Sequence, residues 1–278
     1  MARSKASDTS DSIKVVVHGV YGKMGREVLA ALCREPGLDP VGGVDLRAAE
    51  DYLPLPNGSG LIPLAQDLGP IIARTRPHVV VDFTNAEGAM TVARNSLSRR
   101  VAIVIGSTGL SEANLKEVGE LVGKHGVAAV VAPNFALGAV LLLKLAQEVA
   151  PYFDYAEVIE AHHETKIDSP SGTAIAIGRA MAKARGKPFA RPRPEKEPVP
   201  GSRGADVEGI SVHSMRMPGR MAFHQVVLGT AGQTLTLTHD TIGRECYMTG
   251  VMLAIREVVK SKGLIVGLDK LLGLQKTS

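Results

Sequence analysis

The sequence predicts an α/β protein: a Rossmann-like, doubly wound parallel sheet domain followed by an α+β domain with a mixed open sheet. Short, continuous Val/Ile runs alternate with helix-like segments up to about residue 132, which is typical of a parallel sheet covered on both faces. A glycine cluster, "GVYGKMG", lies between the first of these runs and the first helix. After Pro133 the alternation stops, and period-two strands and longer helices follow.

The first half contains five apolar runs that we interpret as buried strands. They are "IKVVVHG", "LDPVGGVD", "HVVVDFT", "VAIVIGST" and "VAAVVAP". Three segments with helical character separate them: "KMGREVLAALCREPG", "AEGAMTVARNSLSRR" and "SEANLKEVGELVGKHG". Gly37 is a suitable stop for the first helix, and Ser111 is a suitable N-cap for the third.

The second half begins with a long apolar helix, "NFALGAVLLLKLAQEVAPYF". A strand, "YAEVIEAHH", and a helix, "SGTAIAIGRAMAKARG", come next. Residues 187–209 are rich in Pro, Gly and charge, so we expect a long surface loop whose function the sequence does not indicate. The runs "ISVHSMRM", "FHQVVLGT" and "QTLTLTHD" predict antiparallel strands, with "GTAGQ" as a turn, before a last helix in "ECYMTGVMLAIREVVKSKG".

Composition excludes several classes of function. No apolar run approaches the roughly 18 to 20 residues of a membrane span, and residues 1–12 have no apolar core, so we expect a disordered tail and a cytoplasmic protein. Cys33 and Cys246 are too few for a disulfide framework or a cysteine-based zinc site. The formal charge of +4 is compatible with a nucleic-acid partner, but an anionic cofactor and substrate explain it equally well. Basic runs interleaved with aromatic residues are absent, so no nucleic-acid partner is expected.

The glycine cluster has the spacing G-x-x-G-x-x-G, with Gly19, Gly22 and Gly25. A strand before it and a helix after it favour a dinucleotide site, in which a pyrophosphate binds at the helix N-terminus. Asp45 ends the second strand, where an acid accepts hydrogen bonds from the adenosine ribose, whereas Arg47 would attract a 2′-phosphate. A plain strand–turn–helix that needs glycines is the alternative.

Polar loops follow the other predicted strands at their carboxyl ends, where ligands bind in doubly wound sheets. Their motifs are "DFTNAEG", "GSTG" and "APNF". We expect some of these residues to line a nicotinamide and its ribose, although each taken alone is equally well an ordinary polar loop residue. The residues concerned are Asp82, Thr84, Gly106, Ser107, Thr108 and Asn134.

The segment "EAHHETKIDSPSGTA", Glu160–Ala174, admits three interpretations: a metal site, a catalytic centre or a polar turn. Adjacent histidines in a strand point to opposite faces, so His162 and His163 do not suit one metal ion. We expect Ser169 to be an N-cap and Pro170 to occupy the first helical position. Free N–H groups near Gly172 and Thr173, together with Lys166, would then form a carboxylate or phosphate cradle.

This same segment resembles the motif E-x-H-H-x-x-K-x-D-x-P-S-G-T-A of the 4-hydroxy-tetrahydrodipicolinate reductase family, formerly called dihydrodipicolinate reductase. "GVYGKMG", "VVDFTNAEG", "IGSTGL" and "APNFALG" are similar to family motifs in the same order, so the resemblance covers nearly the whole chain. It implies an NADH- or NADPH-dependent oxidoreductase that reduces 4-hydroxy-tetrahydrodipicolinate to tetrahydrodipicolinate in the diaminopimelate route to lysine. Hydride is added to C4 of this dicarboxylate and water is lost.

The resemblance also implies an architecture and a set of site residues. The chain would form a homotetramer through the sheets of a substrate-binding domain, 133–243, and the segment 244–278 would return to the cofactor domain, 13–132. His162 and Lys166 would handle protons, and His163, Gly172 and Thr173 would bind substrate. The implied cofactor contacts are Gly19, Val20, Tyr21, Gly22, Lys23, Met24, Asp45, Gly106, Ser107, Thr108, Ala132, Pro133, Asn134 and Phe135.

Some positions depart from the family pattern without removing a catalytic group. Lys23 stands where arginine is common, Ala136 where serine is common and Ser169 where alanine is frequent. Leu46-Arg47 after Asp45 leaves NADH and NADPH both open. Two other functions remain as alternatives: a non-catalytic NAD-sensing module that binds a partner through loop 187–209, and another dehydrogenase of small dicarboxylates or amino acids. The later residues His213, His224, His239 and Arg244 are expected to make structural hydrogen bonds.

Overall fold

The structure is a computed structural model that describes residues 12–274. Residues 1–11, which belong to the predicted disordered tail, lie outside the described residues. Strands β1 to β13 are, in chain order, Ile13–His18, Leu38–Val44, Tyr52–Pro54, Leu61–Ala65, Val79–Asp82, Ala102–Ile105, Ala129–Val131, Tyr155–His162, Ala205–Val207, Ile210–Arg216, Ala222–Thr230, Gln233–Thr241 and Leu264–Val266. Helices α1 to α8 are Lys23–Leu32, Leu68–Thr75, Ala86–Ser98, Glu112–His125, Leu137–Val149, Gly172–Arg185, Met248–Val258 and Leu268–Leu271.

The chain divides into two compact units, one of residues 12–135 and 247–274 and the other of Ala136–Cys246. The first unit contains an eight-stranded sheet in the order β13-β7-β6-β5-β1-β2-β4-β3. All neighbouring pairs are parallel except β3 and β4, which are antiparallel. Because the strand order reverses direction on either side of β1, the carboxyl ends of β1 and β5 lie at the topological switch point.

Helices cover both faces of this sheet. Residues of α2, α3 and α4 join alternate strand residues, among them Val16, Val80 and Ile103, in one buried cluster. The intervening residues Val17 and Val81 are equally buried, and helices α1 and α7 contact the sheet there. Burial of both faces explains the continuous Val/Ile runs and confirms the predicted Rossmann-like sheet.

The second unit contains a five-stranded mixed sheet in the order β12-β11-β8-β10-β9. Helices α5 and α6 pack on one face through apolar residues that include Leu142 and Ile177, which meet Val158 and Val226 of the sheet. Strand β8 pairs antiparallel with β11 and parallel with β10. Strands β11 and β12 form the predicted antiparallel hairpin, turning at Ala231 and Gly232, where Gly232 has a φ of +78°.

Several features differ from the sequence predictions. Strand β10 does not pair with the hairpin, as three consecutive antiparallel strands would, but lies parallel to β8. The predicted loop 187–209 contains a short strand, β9, which adds an antiparallel edge to β10. Strands β3, β4 and β13 and helices α2 and α8 were not predicted. All are short, and prolines interrupt the patterns of β3, β4 and α2 at Pro54, Pro63 and Pro70.

Candidate active site

The first unit provides a loop suited to a nucleotide diphosphate between β1 and α1. Gly19 has a φ of +75°, and a side chain there would also meet Thr84. A Cβ on Gly25 would lie only 2.1 Å from the carbonyl oxygen of Gly19, so the first turn of α1 packs directly on the loop backbone. No side chain caps α1 at Gly22, and its first turn contains no acid. Its first N–H groups therefore remain available to an anion.

Asp45, at the end of β2, faces this loop. One carboxylate oxygen accepts a hydrogen bond from the N–H of Tyr21 at 2.9 Å, and the other accepts from the N–H and Nε of Arg47 at 3.1 and 3.0 Å. Burial by itself raises the pKa of Asp45, but the hydrogen bonds from Arg47 and Tyr21 outweigh it, so the pKa lies below its ordinary value. Asp45 is therefore an ionised acceptor beside the glycine loop, with the exposed Arg47 cation over it.

Asp82, at the end of β5, connects three neighbouring strand ends. Its Oδ1 lies 2.6 Å from Nδ1 of His18 and accepts a hydrogen bond from the Thr84 hydroxyl at 2.8 Å. Its Oδ2 accepts from the Ser107 hydroxyl at 2.5 Å. The carboxylate is fully buried, so these contacts hold the loops after β1, β5 and β6 together. The role of Asp82 as a shared acceptor was not predicted.

The loops after β6 and β7 meet two aromatic rings. A Cβ on Gly106 would lie 2.0 Å from the ring of Phe83, so only glycine fits this ring against the loop. The Phe83 and Phe135 rings pack with their centroids 5.7 Å apart. Of the residues expected to contact the cofactor there, Ser107, Ala132 and Phe135 are buried, whereas Thr108 and Pro133 are exposed.

A cavity of about 500 Å³ lies at the carboxyl ends of β1, β2 and β5. It brings together parts of three predicted motifs, the glycine loop, the acid after β2 and "DFTNAEG". The lining residues are His18, Gly19, Asp45, Leu46, Arg47, Thr84, Asn85, Glu87, Gly88 and Thr91. A cavity of this size fits part of a dinucleotide.

The second unit places His162 at the carboxyl end of β8, almost fully buried. Its Nδ1 lies 2.5 Å from Oε2 of Glu160, two residues earlier on the same face of the strand. Burial by itself raises the pKa of Glu160, but hydrogen bonds from His162, Arg216 and Ser214 lower it to about 2. Because an ionised carboxylate only accepts, Nδ1 of His162 donates to it and Nε2 is the ring atom left for chemistry.

Lys166 and the start of α6 lie on the connection after β8. Lys166 Nζ forms an ion pair with Asp168 Oδ1 at 2.6 Å. This hydrogen bond, together with one from the backbone of Gly172, lowers the pKa of Asp168 despite the opposing effect of burial. A carboxylate of the protein itself thus contacts both Lys166 and the start of α6, the two parts of the predicted anion cradle.

The start of α6 corrects one prediction. The N-cap is Ser171, whose hydroxyl accepts from the N–H of Ala174 at 3.2 Å, and the helix begins at Gly172. Ser169 is therefore not the N-cap, and Pro170, joined to it by a cis peptide bond, lies before the helix. The shift keeps Gly172 and Thr173 in the first turn, where a Cβ on Gly172 would meet no atom within 4 Å. Open space for a ligand is therefore retained.

The other histidines of this unit occupy different positions. His163 is exposed, with Nδ1 2.8 Å from the Thr165 hydroxyl. His224 of β11 is buried edge-on to His162, with ring centroids 5.3 Å apart, and its Nε2 lies 3.2 Å from the Ser171 hydroxyl. Burial, reinforced by the charge of His162, lowers the pKa of His224 to about 4, so His224 is neutral at physiological pH. No metal-binding group of three or more His, Cys, Asp or Glu residues occurs among residues 12–274.

Family models match almost the whole chain. The model described as "Dihydrodipicolinate reductase, N-terminus" matches residues 13–135, and "Dihydrodipicolinate reductase, C-terminus" matches residues 138–272. A protein of Dehalococcoides mccartyi strain 195 named 4-hydroxy-tetrahydrodipicolinate reductase is 51% identical over 262 residues, covering 94% of this chain and 99% of that protein. A protein of Moorella thermoacetica with the same name is 44% identical over 264 residues, covering 94% and 98%.

Solved structures give the same relationship. A dipicolinate-bound dihydrodipicolinate reductase from Paenisporosarcina sp. TG-14 superimposes with a TM-score of 0.83 at 35% identity, covering 93% of this chain and 99% of that chain. An amine dehydrogenase from Mycobacterium smegmatis has a TM-score of 0.65 at 16% identity, covering 94% and 96%, which shows a shared fold. Across residues 12–274, the helices are all too short or too polar to cross a membrane.

Proposed function

The chain belongs to the dihydrodipicolinate reductase family, and from this premise we propose that His162 and Lys166 handle the protons of its reaction. The reaction is the reduction of 4-hydroxy-tetrahydrodipicolinate to tetrahydrodipicolinate in diaminopimelate and lysine biosynthesis. The reaction consumes one hydride and one proton and releases one molecule of water. The observation that carries the proposed residue roles is the buried Glu160–His162 pair beside Lys166 and the first turn of α6.

The first unit holds a pyridine nucleotide, which supplies the hydride when bound. We assign the diphosphate to the N–H groups at the start of α1, whose first turn contains no acid, and the adenosine ribose to Asp45, which lines one cavity together with Gly19 of the loop before α1. The loops 106–108 and 132–135 line the nicotinamide side. Arg47 lies against Asp45, within reach of a 2′-phosphate, so both NADH and NADPH suit this end of the site.

The second unit holds the dicarboxylate. One carboxylate of the substrate binds the first turn of α6 at Gly172 and Thr173, with Lys166 as its counter-ion and His163 beside it. Asp168 forms these same contacts in the absence of substrate, so the substrate carboxylate exchanges with a carboxylate of the protein. The cradle is therefore selective for anionic oxygen groups.

His162 and Lys166 carry the protons. His162 donates Nδ1–H to Glu160, which leaves Nε2 to give or accept the proton that accompanies loss of water and reduction. The ammonium of Lys166 supplies a proton or a positive charge at the substrate nitrogen or carboxylate. We further propose a cytoplasmic homotetramer that associates through the face of the mixed sheet opposite α5 and α6.

Substitution of the two proton-handling residues tests this proposal. We expect His162→Gln and Lys166→Ala each to lower kcat by about two to four orders of magnitude, with reduced nicotinamide and the dicarboxylate as substrates. The matched controls are His125→Gln, on a histidine in the last turn of α4 of the first unit, and Lys183→Ala, on the exposed last turn of α6. Wild-type kcat in both His162 and Lys166 variants would refute the roles.

A further inference from the structure

Glu160 transfers no proton in the proposed chemistry, yet it is among the largest fully buried side chains and is ionised. Five donors surround its two oxygens. Arg216 donates from Nη2 to Oε1 at 2.8 Å and from Nη1 to Oε2 at 3.1 Å. The other three donors are Nδ1 of His162 on Oε2, the N–H of Ser171 on Oε1 at 3.3 Å and the side chain of Ser214. A buried carboxylate whose two oxygens accept this many hydrogen bonds holds a fixed orientation.

The order of the strands creates this arrangement. Glu160 lies on β8 between β10 and β11, on the face that α6 covers. Arg216 pairs in register with His162 across the parallel β8–β10 ladder, so its guanidinium reaches the carboxylate of the preceding same-face residue. Arg216 also donates to the carbonyl oxygen of Asp168 at 2.6 Å. Arg216 therefore connects Glu160, near the end of β8, to the loop that bears Lys166.

We infer that Glu160, held by Arg216, is a positioning residue that sets the tautomer of His162 and fixes the position of its ring relative to the substrate cradle. The inference rests on the proposed function, because it concerns the histidine to which we assign the proton. Oε2 selects the Nδ1–H tautomer and so keeps Nε2 as the proton-carrying atom. Oε1 holds the N-cap residue of α6, so proton donor and anion cradle are joined through one carboxylate.

The same strand contains a matched control. Glu157 also pairs with an arginine and a histidine, Arg203 and His213, but it lies on the opposite face of β8 and is partly exposed. An acid–arginine–histidine cluster of the same kind is thus present three residues away, on the other face of the same strand. Comparison of Glu160→Gln with Glu157→Gln, each shown by size-exclusion chromatography to form the same oligomer as the wild type, separates positioning of His162 from a general effect on the sheet.

The test measures the tautomer of His162, kcat and the affinity for dipicolinate. A merely structural role of Glu160 would not change these three quantities in the expected combination. Nitrogen NMR of the protein labelled at its 8 histidines, with His162 assigned by comparison with His162→Gln, reports the tautomer of the neutral ring. We expect the Nδ1–H form in the wild type and in Glu157→Gln, and conversion to mainly Nε2–H in Glu160→Gln. We expect kcat of Glu160→Gln to fall by about two orders of magnitude. Binding of dipicolinate should change less than about threefold, since the amide oxygen still accepts from Ser171.

Glu160→Asp provides a second variant that keeps the charge beside Arg216 if the neutral variant fails to fold. It withdraws the carboxylate from Nδ1 by about one bond length, ~1.5 Å, so a mixture of tautomers and about a tenfold lower kcat are expected. An unchanged Nδ1–H tautomer with wild-type kcat in either variant would overturn the inference, as would an equal loss of kcat in Glu157→Gln. Activity retained in His162→Gln would instead refute the proposed function, while the tautomer measurement stands independently.

Discussion

Replacement of Gly25 by alanine should damage both the stability and the nucleotide affinity of the first unit. The new Cβ would lie 2.1 Å from the carbonyl oxygen of Gly19 and 2.9 Å from Cα of Val20. Ordinary contact begins at about 3.4 Å, so the loop backbone must move by more than about 1 Å. Overpacking of this kind costs about 1–3 kcal/mol, which exceeds the roughly 1 kcal/mol that alanine contributes over glycine in a helix. A net loss of up to about 2 kcal/mol follows.

Gly123→Ala is the matched control, because Gly123 is an exposed glycine of α4 and a Cβ there meets no atom within 4 Å. It should stabilise the unit by about 0.5–1 kcal/mol. Urea unfolding measures the difference between the two variants, and fluorescence titration with reduced nicotinamide cofactor measures affinity. We expect Gly25→Ala to weaken cofactor binding at least about tenfold and Gly123→Ala to leave it unchanged. Equal stability and equal affinity of the two variants would refute the role assigned to close packing at Gly25.

Two further predictions concern electrostatics. Arg47→Ala should lower the ratio of kcat/KM for NADPH to kcat/KM for NADH about tenfold, because it removes the cation nearest the ribose acceptor Asp45. The control Arg94→Ala breaks the remote ion pair with Glu117 and should leave this ratio unchanged. An unchanged ratio in Arg47→Ala would contradict the prediction. The pKa of Glu160 is about 2, against an ordinary value of 4.5, so its ionised carboxylate stabilises the fold above pH 4.5. This contribution is lost as the pH falls toward 2. Between pH 5 and pH 2.5 the wild type should therefore lose about 2 kcal/mol more unfolding free energy than Glu160→Gln, and parallel pH curves would contradict the assignment.

The parallel sheet could be predicted because its five central strands are buried on both faces and therefore read as continuous Val/Ile runs. Strands β3, β4 and β13 could not, since they lie toward the edges of the sheet and are less buried than the central strands. Strand β10 was predicted as a strand, but its parallel pairing with β8 depends on which strands become neighbours, and local periodicity carries no information about that.

For the candidate site, the sequence indicates a set of residues but few of their contacts. His162, Lys166, Gly172 and Thr173 occur in one contiguous segment, so the motif alone brings them together. Glu160 is two residues before His162 on a predicted strand, and this spacing was a signal for a shared face that went unused. Arg216 is 56 residues beyond Glu160 in the chain, and only the β8–β10 register brings them together.

The N-cap of α6 shows a different limit. Ser169 and Ser171 both precede the helix-forming segment, and both are good capping residues. A proline after Ser169 favoured the earlier position, since proline is common in the first helical turn. Pro170 instead lies before the helix, which begins at Gly172, and local spacing does not decide between the two serines. Asp82 was expected only to line the cofactor site, because its three partners come from separate strand ends.

Substrate-dependent oxidation of reduced nicotinamide, followed by absorbance, tests the proposed reaction in the wild type and in the double variant His162→Gln/Lys166→Ala. We expect the wild type to oxidise one cofactor for each 4-hydroxy-tetrahydrodipicolinate consumed. We expect at least about a hundredfold lower rate in the double variant, whose cofactor affinity should stay unchanged because both residues belong to the second unit. No substrate-dependent oxidation by the wild type, or an undiminished rate in the double variant, would contradict the proposal.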